Sequence, residues 1–478
     1  MKLRLYNTYN ISNAIIIYQI LDNQFINSCF LFMYVVKCYL RKNEGGFYMS
    51  LKTNTISEQI KESVCKFYLD NKTKCDFHYS CAESKNISNI YENISNQKTI
   101  YALFSQVSIV VLTANKYEKN ILHHNIFYNQ NKNQNKIKKI EITLFPKSET
   151  KEETYAYLFD WRDYSVLHIQ AQKTGSYTIG GSADIVRYVI DNEYLHPMAI
   201  ISLGICFGTN ENKFQLGDTI ISKKIYPYFI GSKISEKSYF VSDDNMFRVN
   251  SHLNANINSI FDENNFSKLE SNVYFGNYIT GEAVISQKKT RDEFSKITKQ
   301  EIIAGEMEGY GLFKECNGSY YSIPCLVVKS ICDWGVMKNF DTKSIFERLC
   351  DKDNYINEEE QKTLKDRLQA FASFQAFKAL DILLYNHSFE NSLYKRVSEL
   401  ISNEHGQLVY ASHIKTLTQQ IAEKHCYGMK ITDPFIYVLI RNLIDNDIIT
   451  CNINCERNIN ENIEQIWECT FLLNKGGK

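Results

Sequence analysis

Two carboxylates stand at the ends of two apolar runs near the middle of this chain. Glu301-Ile302-Ile303-Ala304 leads through Gly305-Glu306-Met307 to Glu308, and Pro324-Cys325-Leu326-Val327-Val328 leads through Lys329-Ser330-Ile331-Cys332 to Asp333. Cleavage of a purine N-glycosidic bond builds positive charge on the sugar and negative charge on the base. A site for it must protonate the base and stabilise an oxocarbenium-like ribose. Two acids so placed can divide those tasks. Both runs read as buried parallel strands, whose carboxyl ends are where open α/β sheets bind ligands.

The elements that must position them follow from the texture of the chain. From Val107 apolar strands alternate with helices: Val107 to Thr113, Val166 to Gln170, a helix over Ile179 to Ile190, then Met198 to Leu203. This is an α/β pattern. Asn129 to Lys136 is all Asn, Gln and Lys, cannot pack apolar surface, and reads as an exposed loop. Leu368 to Leu384 places Phe371, Phe374, Phe377 and Leu380 at helical spacing and is expected to close the domain. Before this core, residues 49–106 read as an accessory segment with an amphipathic stretch over Ile56 to Leu69. After it, residues 392–474 show three helical patterns (Tyr394 to Ile401, His413 to Lys424, Pro434 to Leu443) and then two strand-like runs, Ile448 to Ile453 and Ile466 to Leu472. That order predicts a small winged-helix-like domain with Asn454 to Asn462 as its wing. Its charges balance and Arg441 stands almost alone on the third helix, so a protein contact is expected of it rather than nucleic acid.

Five blocks in order carry a resemblance: Val111-Leu112-Thr113-Ala114 followed by Glu118; Leu203-Gly204-Ile205-Cys206-Phe207-Gly208; Leu216-Gly217-Asp218-Thr219-Ile220-Ile221; Thr280-Gly281-Glu282-Ala283-Val284-Ile285; and Glu306-Met307-Glu308-Gly309 with Cys332-Asp333. With them, residues 107–388 resemble the nucleoside phosphorylase and nucleosidase superfamily. The pattern is closest to 5′-methylthioadenosine/S-adenosylhomocysteine nucleosidases and to related domains fused to bacterial defence proteins. The resemblance implies a three-layer α/β core with a twisted mixed sheet, no metal and no organic cofactor, and a homo-oligomer.

It also implies roles. Asp333 would hold or relay a proton to purine N7, burial raising its pKa toward that task; its alternative is a cap for the next helix. Glu308 matches the glutamate that accepts ribose hydroxyls, with Met307 packing on the sugar; its alternative is a solvated helical Glu, against which Gly309 and Gly311 argue by permitting close backbone approach. Glu118 falls where the hydrolases keep the base that activates water, although beside Lys116 and Lys119 it also reads as a surface residue. Gly204 and Ile205 line the substrate, and Val284 and Ile285 match positions that pack on the purine. The family's phosphorylases bind phosphate with an arginine and a serine that are Ser202 and Ile205 here, so water is the expected nucleophile. Other departures are Val336 for a second aspartate, Cys332 for a serine, and Phe207 for a small residue. Lys223, Lys224, Lys233 and Arg248 permit, without indicating, a substrate that carries 5′-phosphates.

Length and composition bound the rest. At 478 residues the chain holds two or three units, and a formal net charge of zero with 23% charged and 44% hydrophobic residues leaves no electrostatic footprint for nucleic acid or membrane. The 14 scattered cysteines, Cys65, Cys75 and Cys81 among them, form no metal-ligand spacing with histidines and read as reduced thiols of a cytoplasmic protein. Residues Ile26 to Leu40 form an apolar run too short to span a bilayer. Glu44 to Met49 can be encoded by a ribosome-binding site followed by a start codon. Residues 1–48 are therefore expected to be untranslated leader read as protein, with a membrane-proximal helix as the competing reading if they are translated. Fused flanking units around a nucleosidase-like core suggest a regulated antiviral effector that depletes nucleotides. A phosphate-dependent phosphorylase, a catalytically silent nucleotide sensor and a transcription regulator are the alternatives.

Overall fold

The computed structural model describes residues 39–43, 46–50, 56–84, 89–130, 136–144, 154–228, 233–235, 238–240, 246–282, 288–294, 300–318, 321–335, 343–350, 356–403, 408–426, 428–451 and 469–473. The chain divides into two compact units, Met1–Gln59 and Ile60–Lys478. In the first, β1 (Tyr39–Asn43) and β2 (Gly46–Ser50) pair antiparallel as a hairpin, so Met49, the expected start, lies within a strand. Most of the apolar run Ile26 to Leu40 lies outside the described residues, and no described helix is long and apolar enough to cross a membrane.

The second unit is built on one mixed sheet. Its strands are β3 (Tyr91–Ile94), β4 (Ile109–Thr113), β5 (Ile137–Ile142), β6 (Thr154–Trp161), β7 (Tyr164–Gln170), β8 (Ala199–Gly208) and β9 (Thr219–Pro227), then, past a small hairpin of β10 (Lys233–Ser235) and β11 (Ser238–Phe240), β12 (Phe247–Arg248), β13 (Val273–Thr280), β14 (Ile302–Glu306) and β15 (Cys325–Asp333). They lie in the order β12-β9-β13-β14-β8-β4-β7-β6-β5-β3, with β15 pairing both β8 and β9. That double pairing closes β8, β14, β13, β9 and β15 into a five-stranded ring. The two runs expected as parallel strands are only half so: β15 is parallel to β8 and antiparallel to β9, and β14 is parallel to β13 and antiparallel to β8. β8 runs opposite to β9 and β13, so β15 between β8 and β9, and β14 between β13 and β8, are each parallel to one neighbour and antiparallel to the other.

β4, β8 and β15 are apolar almost throughout and buried along their lengths, as strands covered on both sides must be. Helix Glu358–Tyr385 packs on β8 and β15 and carries helices Lys72–Ala82 and Lys116–Asn125. It is capped by the Asn357 side chain on Glu360 N–H and has three acids in its first turn, which suits the helix dipole. Helices Ser182–Asp191 and Gly309–Cys316 pack on each other, the latter also on β8, β9 and β15.

Residues 60–106 of the segment read as accessory belong to this second unit. β3 pairs with β5 at the edge of the sheet, and helix Lys72–Ala82 lies against helices Lys116–Asn125 and Glu358–Tyr385. The C-terminal region runs helix Leu393–Ser402, β16 (Leu408–Tyr410), helices Ala411–His425 and Asp433–Asp445, β17 (Ile449–Cys451) and β18 (Thr470–Leu473), its strands in the order β16-β18-β17. The expected wing, Asn454 to Asn462, and residues 131–135 of the polar loop lie outside the described residues.

Candidate active site

Glu118 sits in the first turn of helix Lys116–Asn125, directly after β4. Asn115 caps that helix by accepting from the N–H groups of Tyr117 and Glu118, while Glu118 reaches back to accept from Asn115 N–H at 3.0 Å, a complete capping box. The reach-back aims the carboxylate inward rather than to the surface. Its Oε2 also accepts from Ala114 N–H at 2.5 Å and its Oε1 from Ile205 N–H at 2.9 Å, and the residue is only 3% exposed. Gly204 makes this contact possible: a Cβ there would lie 2.1 Å from Glu118 Oε1. Burial pushes the Glu118 carboxyl up to about 7, with Lys329 and the backbone donors opposing the rise and Glu308 adding to it.

Glu308 follows β14 and is buried. Its Oε1 accepts from Gly175 N–H at 3.1 Å and its Oε2 pairs with Lys329 Nζ at 2.5 Å. Lys329 projects from the middle of β15, 1% exposed, and also reaches Glu306 Oε2 at 3.2 Å. Burial alone would lower its pKa, but Glu308, Glu306 and Glu118 outweigh that and hold the ammonium above its ordinary value. Glu306 in turn accepts from the N–H groups of Glu308 and Gly309, which fixes the turn that presents Glu308. Met307, half-buried, has its carbonyl held by Ser176 Oγ at 2.8 Å. Neither Glu118 nor Glu308 is the solvated surface residue that its local sequence allowed.

Asp333 ends β15 and is reached from the same strand of the ring. In the β15/β8 register Lys329 lies opposite Gly204 and Asp333 opposite Phe207, while β14 places Gly305 against Phe207 from the other side. Glu118, Lys329 and Glu308 thus meet beside Gly204 of β8, and Asp333 lies three positions further along the same strand, opposite Phe207. Asp333 Oδ1 accepts from Gly335 N–H at 2.7 Å, and its Oδ2 takes the Cys332 thiol at 3.6 Å. Burial raises its pKa against the opposing Gly335 N–H, Lys365 and Cys332. The next described helix is Lys343–Leu349, and residues 336–342 between it and Asp333 lie outside the described residues. Buried Arg291 donates to the Trp334 carbonyl at 3.1 Å and pairs with Glu211 at 3.0 Å, holding the residue beside Asp333.

Val284, Ile285 and Val336 lie outside the described residues. Of the cations considered for phosphate, Lys223 and Arg248 are exposed and Lys224 Nζ donates to Gln300 at 2.9 Å. Sequence reasoning assigned nothing to Lys329, Glu306, Arg291 or the Gly175–Ser176 turn. A charged residue inside an otherwise apolar strand was the available signal for Lys329, since lysine is almost never fully buried unless paired. Behind the site, Thr113 Oγ1 bonds His168 Nε2 at 2.9 Å, His168 Nδ1 bonds His123 Nε2 at 2.9 Å, and His123 Nδ1 bonds Tyr91 Oη at 2.8 Å. This chain of polar groups anchors the end of β4, one residue before the Ala114 N–H that holds Glu118.

No protein-family model matches the chain. Over 172 residues it is 24% identical to a death domain-containing ATP nucleosidase of Amphimedon queenslandica, a match that covers 32% of this chain and 31% of that relative, so under a third of the relative's length is spanned. Among solved structures it is similar to the 5′-methylthioadenosine/S-adenosylhomocysteine nucleosidase of Neisseria meningitidis in complex with methylthio-immucillin-A (13% identity, TM-score 0.41, 58% of this chain and 98% of that one). The corresponding enzyme of S. pneumoniae with a transition-state inhibitor gives 16% identity and a TM-score of 0.41, over 58% of this chain and 98% of that one. The futalosine hydrolase of Helicobacter pylori gives 14% identity and a TM-score of 0.40, over 59% of this chain and 98% of that one. The resemblance read from the ordered blocks is met by the curated nucleosidase: the chain is similar to members of the nucleoside phosphorylase and nucleosidase superfamily.

Proposed function

We propose that this protein hydrolyses the N-glycosidic bond of a purine nucleoside or nucleotide and releases the free base. One observation carries the reading: a buried carboxylate with its pKa at about 7, Glu118, faces a buried Lys329–Glu308 pair across Gly204. Ionised Glu118 takes a proton from water as the water attacks C1′. The C1′–N9 bond breaks with its electron pair passing to the base, and Asp333 supplies or relays the proton that N7 receives. Glu308, paired with Lys329, accepts the ribose hydroxyls with the lone pairs that Lys329 and Gly175 leave open, and Met307 packs on the sugar. Gly204 and Ile205 form the floor. No metal or organic cofactor enters this scheme.

Water is favoured over phosphate because the buried cation of the site is already committed to two carboxylates, Glu306 and Glu308, and because Ser202 and Ile205 replace the phosphate ligands. Taking the core as residues 107–388, we read residues 392–474 as a winged-helix-like domain, on the helix–strand–helix–helix–strand–strand order. Leu408 and Tyr410 on β16 and Leu472 on β18 are exposed, with Leu408 opposite Leu472 in the register, which supports a protein partner or a second copy of the chain there. The pairing of an ATP nucleosidase with a death domain in the curated relative suits a regulated enzyme, and the antiviral part of the reading rests on domain organisation alone.

The test is incubation with adenosine, methylthioadenosine, AMP, ATP, guanosine and inosine, with and without phosphate. Free base and ribose or ribose phosphate should form without phosphate. Base release that requires phosphate and yields ribose 1-phosphate would establish the phosphorylase, and ligand binding without base release would establish the sensor.

A further inference from the structure

Away from the proposed active site, three potential metal ligands converge from segments far apart in sequence. His252 opens helix Ser251–Asp262, Glu390 lies in the link after the long helix Glu358–Tyr385, and His425 ends helix Ala411–His425. One ligand atom from each lies within 4.8 Å of the other two. His425 Nδ1 is 3.4 Å and His252 Nε2 is 4.0 Å from the same oxygen, Glu390 Oε1. In a tetrahedral zinc site with bonds of about 2.0–2.1 Å the ligand atoms stand about 3.3–3.4 Å apart. One of the three pairs already has that spacing, and the two that involve His252, at 4.0 Å from Glu390 and within 4.8 Å of His425, need a rotation of the His252 side chain, which is 63% exposed.

We propose that His252, Glu390 and His425 form a binding site for a divalent transition ion, zinc being the best match, that fastens the C-terminal region to the nucleosidase-like core. Two imidazoles and a carboxylate are a zinc-type donor set, with the fourth position open to solvent beside the exposed His252. The surrounding charges fit the division of labour on Glu390. Arg396 Nε approaches the other carboxylate oxygen, Oε2, at 3.7 Å, which orients Oε1 toward the imidazoles as an outer partner does. Lys424 and Arg396 also act electrostatically on His425, and Glu390 acts on it with the opposite sign. Those same cations weaken the site relative to an all-anionic cage. The ion would act as a clip: Glu390 belongs to the link, His252 to the core and His425 to the C-terminal helices, so loading it ties the position of the latter to the former.

The test uses the full chain, stripped by chelator and titrated with zinc chloride by calorimetry, with bound metal counted after gel filtration and a parallel cobalt titration followed by absorption. One ion per chain is expected, with a rise in thermal midpoint. Affinity should fall at least tenfold in His252→Ala, in His425→Ala and in Glu390→Gln. His252→Ala alters only an exposed side chain, so its circular dichroism should match the parent and the loss cannot be assigned to unfolding. Binding of equal stoichiometry and affinity in His252→Ala and His425→Ala, an intense near-ultraviolet thiolate band in the cobalt form, or no stoichiometric binding by the parent would each overturn the proposal.

Discussion

Glu118 concentrates the chemistry of the site in one titration. Its carboxyl is pushed from an ordinary 4.5 to about 7, so the base is half ionised near neutrality. A general base works only when ionised. The rate of base release should therefore climb as pH rises through about 7 and level off above it, and Glu118→Gln should abolish that limb and cost about 10²–10⁴-fold in kcat, read by stopped assays of free purine. The stability sign is opposite: the raised pKa means this group's contribution is fully present below 4.5 and is lost as pH rises through about 7. Lys329 allows a second prediction at this scale. It is buried between Glu306 and Glu308, and Lys329→Met would leave two carboxylates facing each other without a cation. Loss of about 3–5 kcal/mol is expected from denaturant unfolding, with Glu306→Gln in the same chain restoring part of it.

At the scale of elements, the site depends on how closely β8 passes the helix that carries Glu118. Gly204→Ala would set a methyl 2.1 Å from Glu118 Oε1, at a backbone φ of +155°. The carboxylate must then leave the Ile205 N–H. The expected result is a fall in kcat of at least tenfold with a thermal loss of about 1–3 kcal/mol, whereas a tolerated substitution with full activity would show that Glu118 is not the base. This contact also marks the border of what the chain revealed by itself. β4, β8 and β15 were legible because they are buried apolar runs, and Gly204 was legible as a substrate-lining position, but not as the glycine that admits Glu118. Lys329 was visible as an oddity in a strand; its partners come from another strand, and only ring closure brings them together. β3 escaped because an edge strand, exposed in its middle at Glu92 and Asn93, carries no alternating or continuous apolar signal. The long helix was read from Leu368 onward, since its first ten residues are charged and partly exposed; Asn357 and the acids after it were the unused start signal. Parallel pairing of β14 and β15 was only half right for the reason that no local pattern encodes closure.

For the whole molecule, the question is whether the C-terminal region is a loosely tethered module or part of one body. Its composition, net charge and helix–strand order suit an independent contact domain, yet its ties to the core are specific and partly buried. Ser392 N–H donates to Ser108 Oγ at 3.0 Å, Asn442 Nδ2 donates to the Ala102 carbonyl and to Ser105 Oγ at 3.0 and 2.8 Å, and Thr432 Oγ1 donates to the Glu193 carbonyl. His196 packs on Phe435, and Cys426 lies against the Met198 carbonyl just before β8 begins. Removing this region strips cover from the entry to β8, the strand on which Gly204 and Ile205 lie, and leaves buried Met198, Leu195 and Ser108 facing water. A chain ending at residue 391 should consequently melt at lower temperature than the parent and form aggregates in light scattering, with base-releasing activity lost in parallel with the folded fraction. A tethered module predicts the reverse, an unchanged midpoint and full activity per folded chain. The distinction matters for regulation, because a partner that grips Leu408, Tyr410 and Leu472 on the outer sheet can act on the site only if the region it pulls is packed against the strand that holds Glu118 in place.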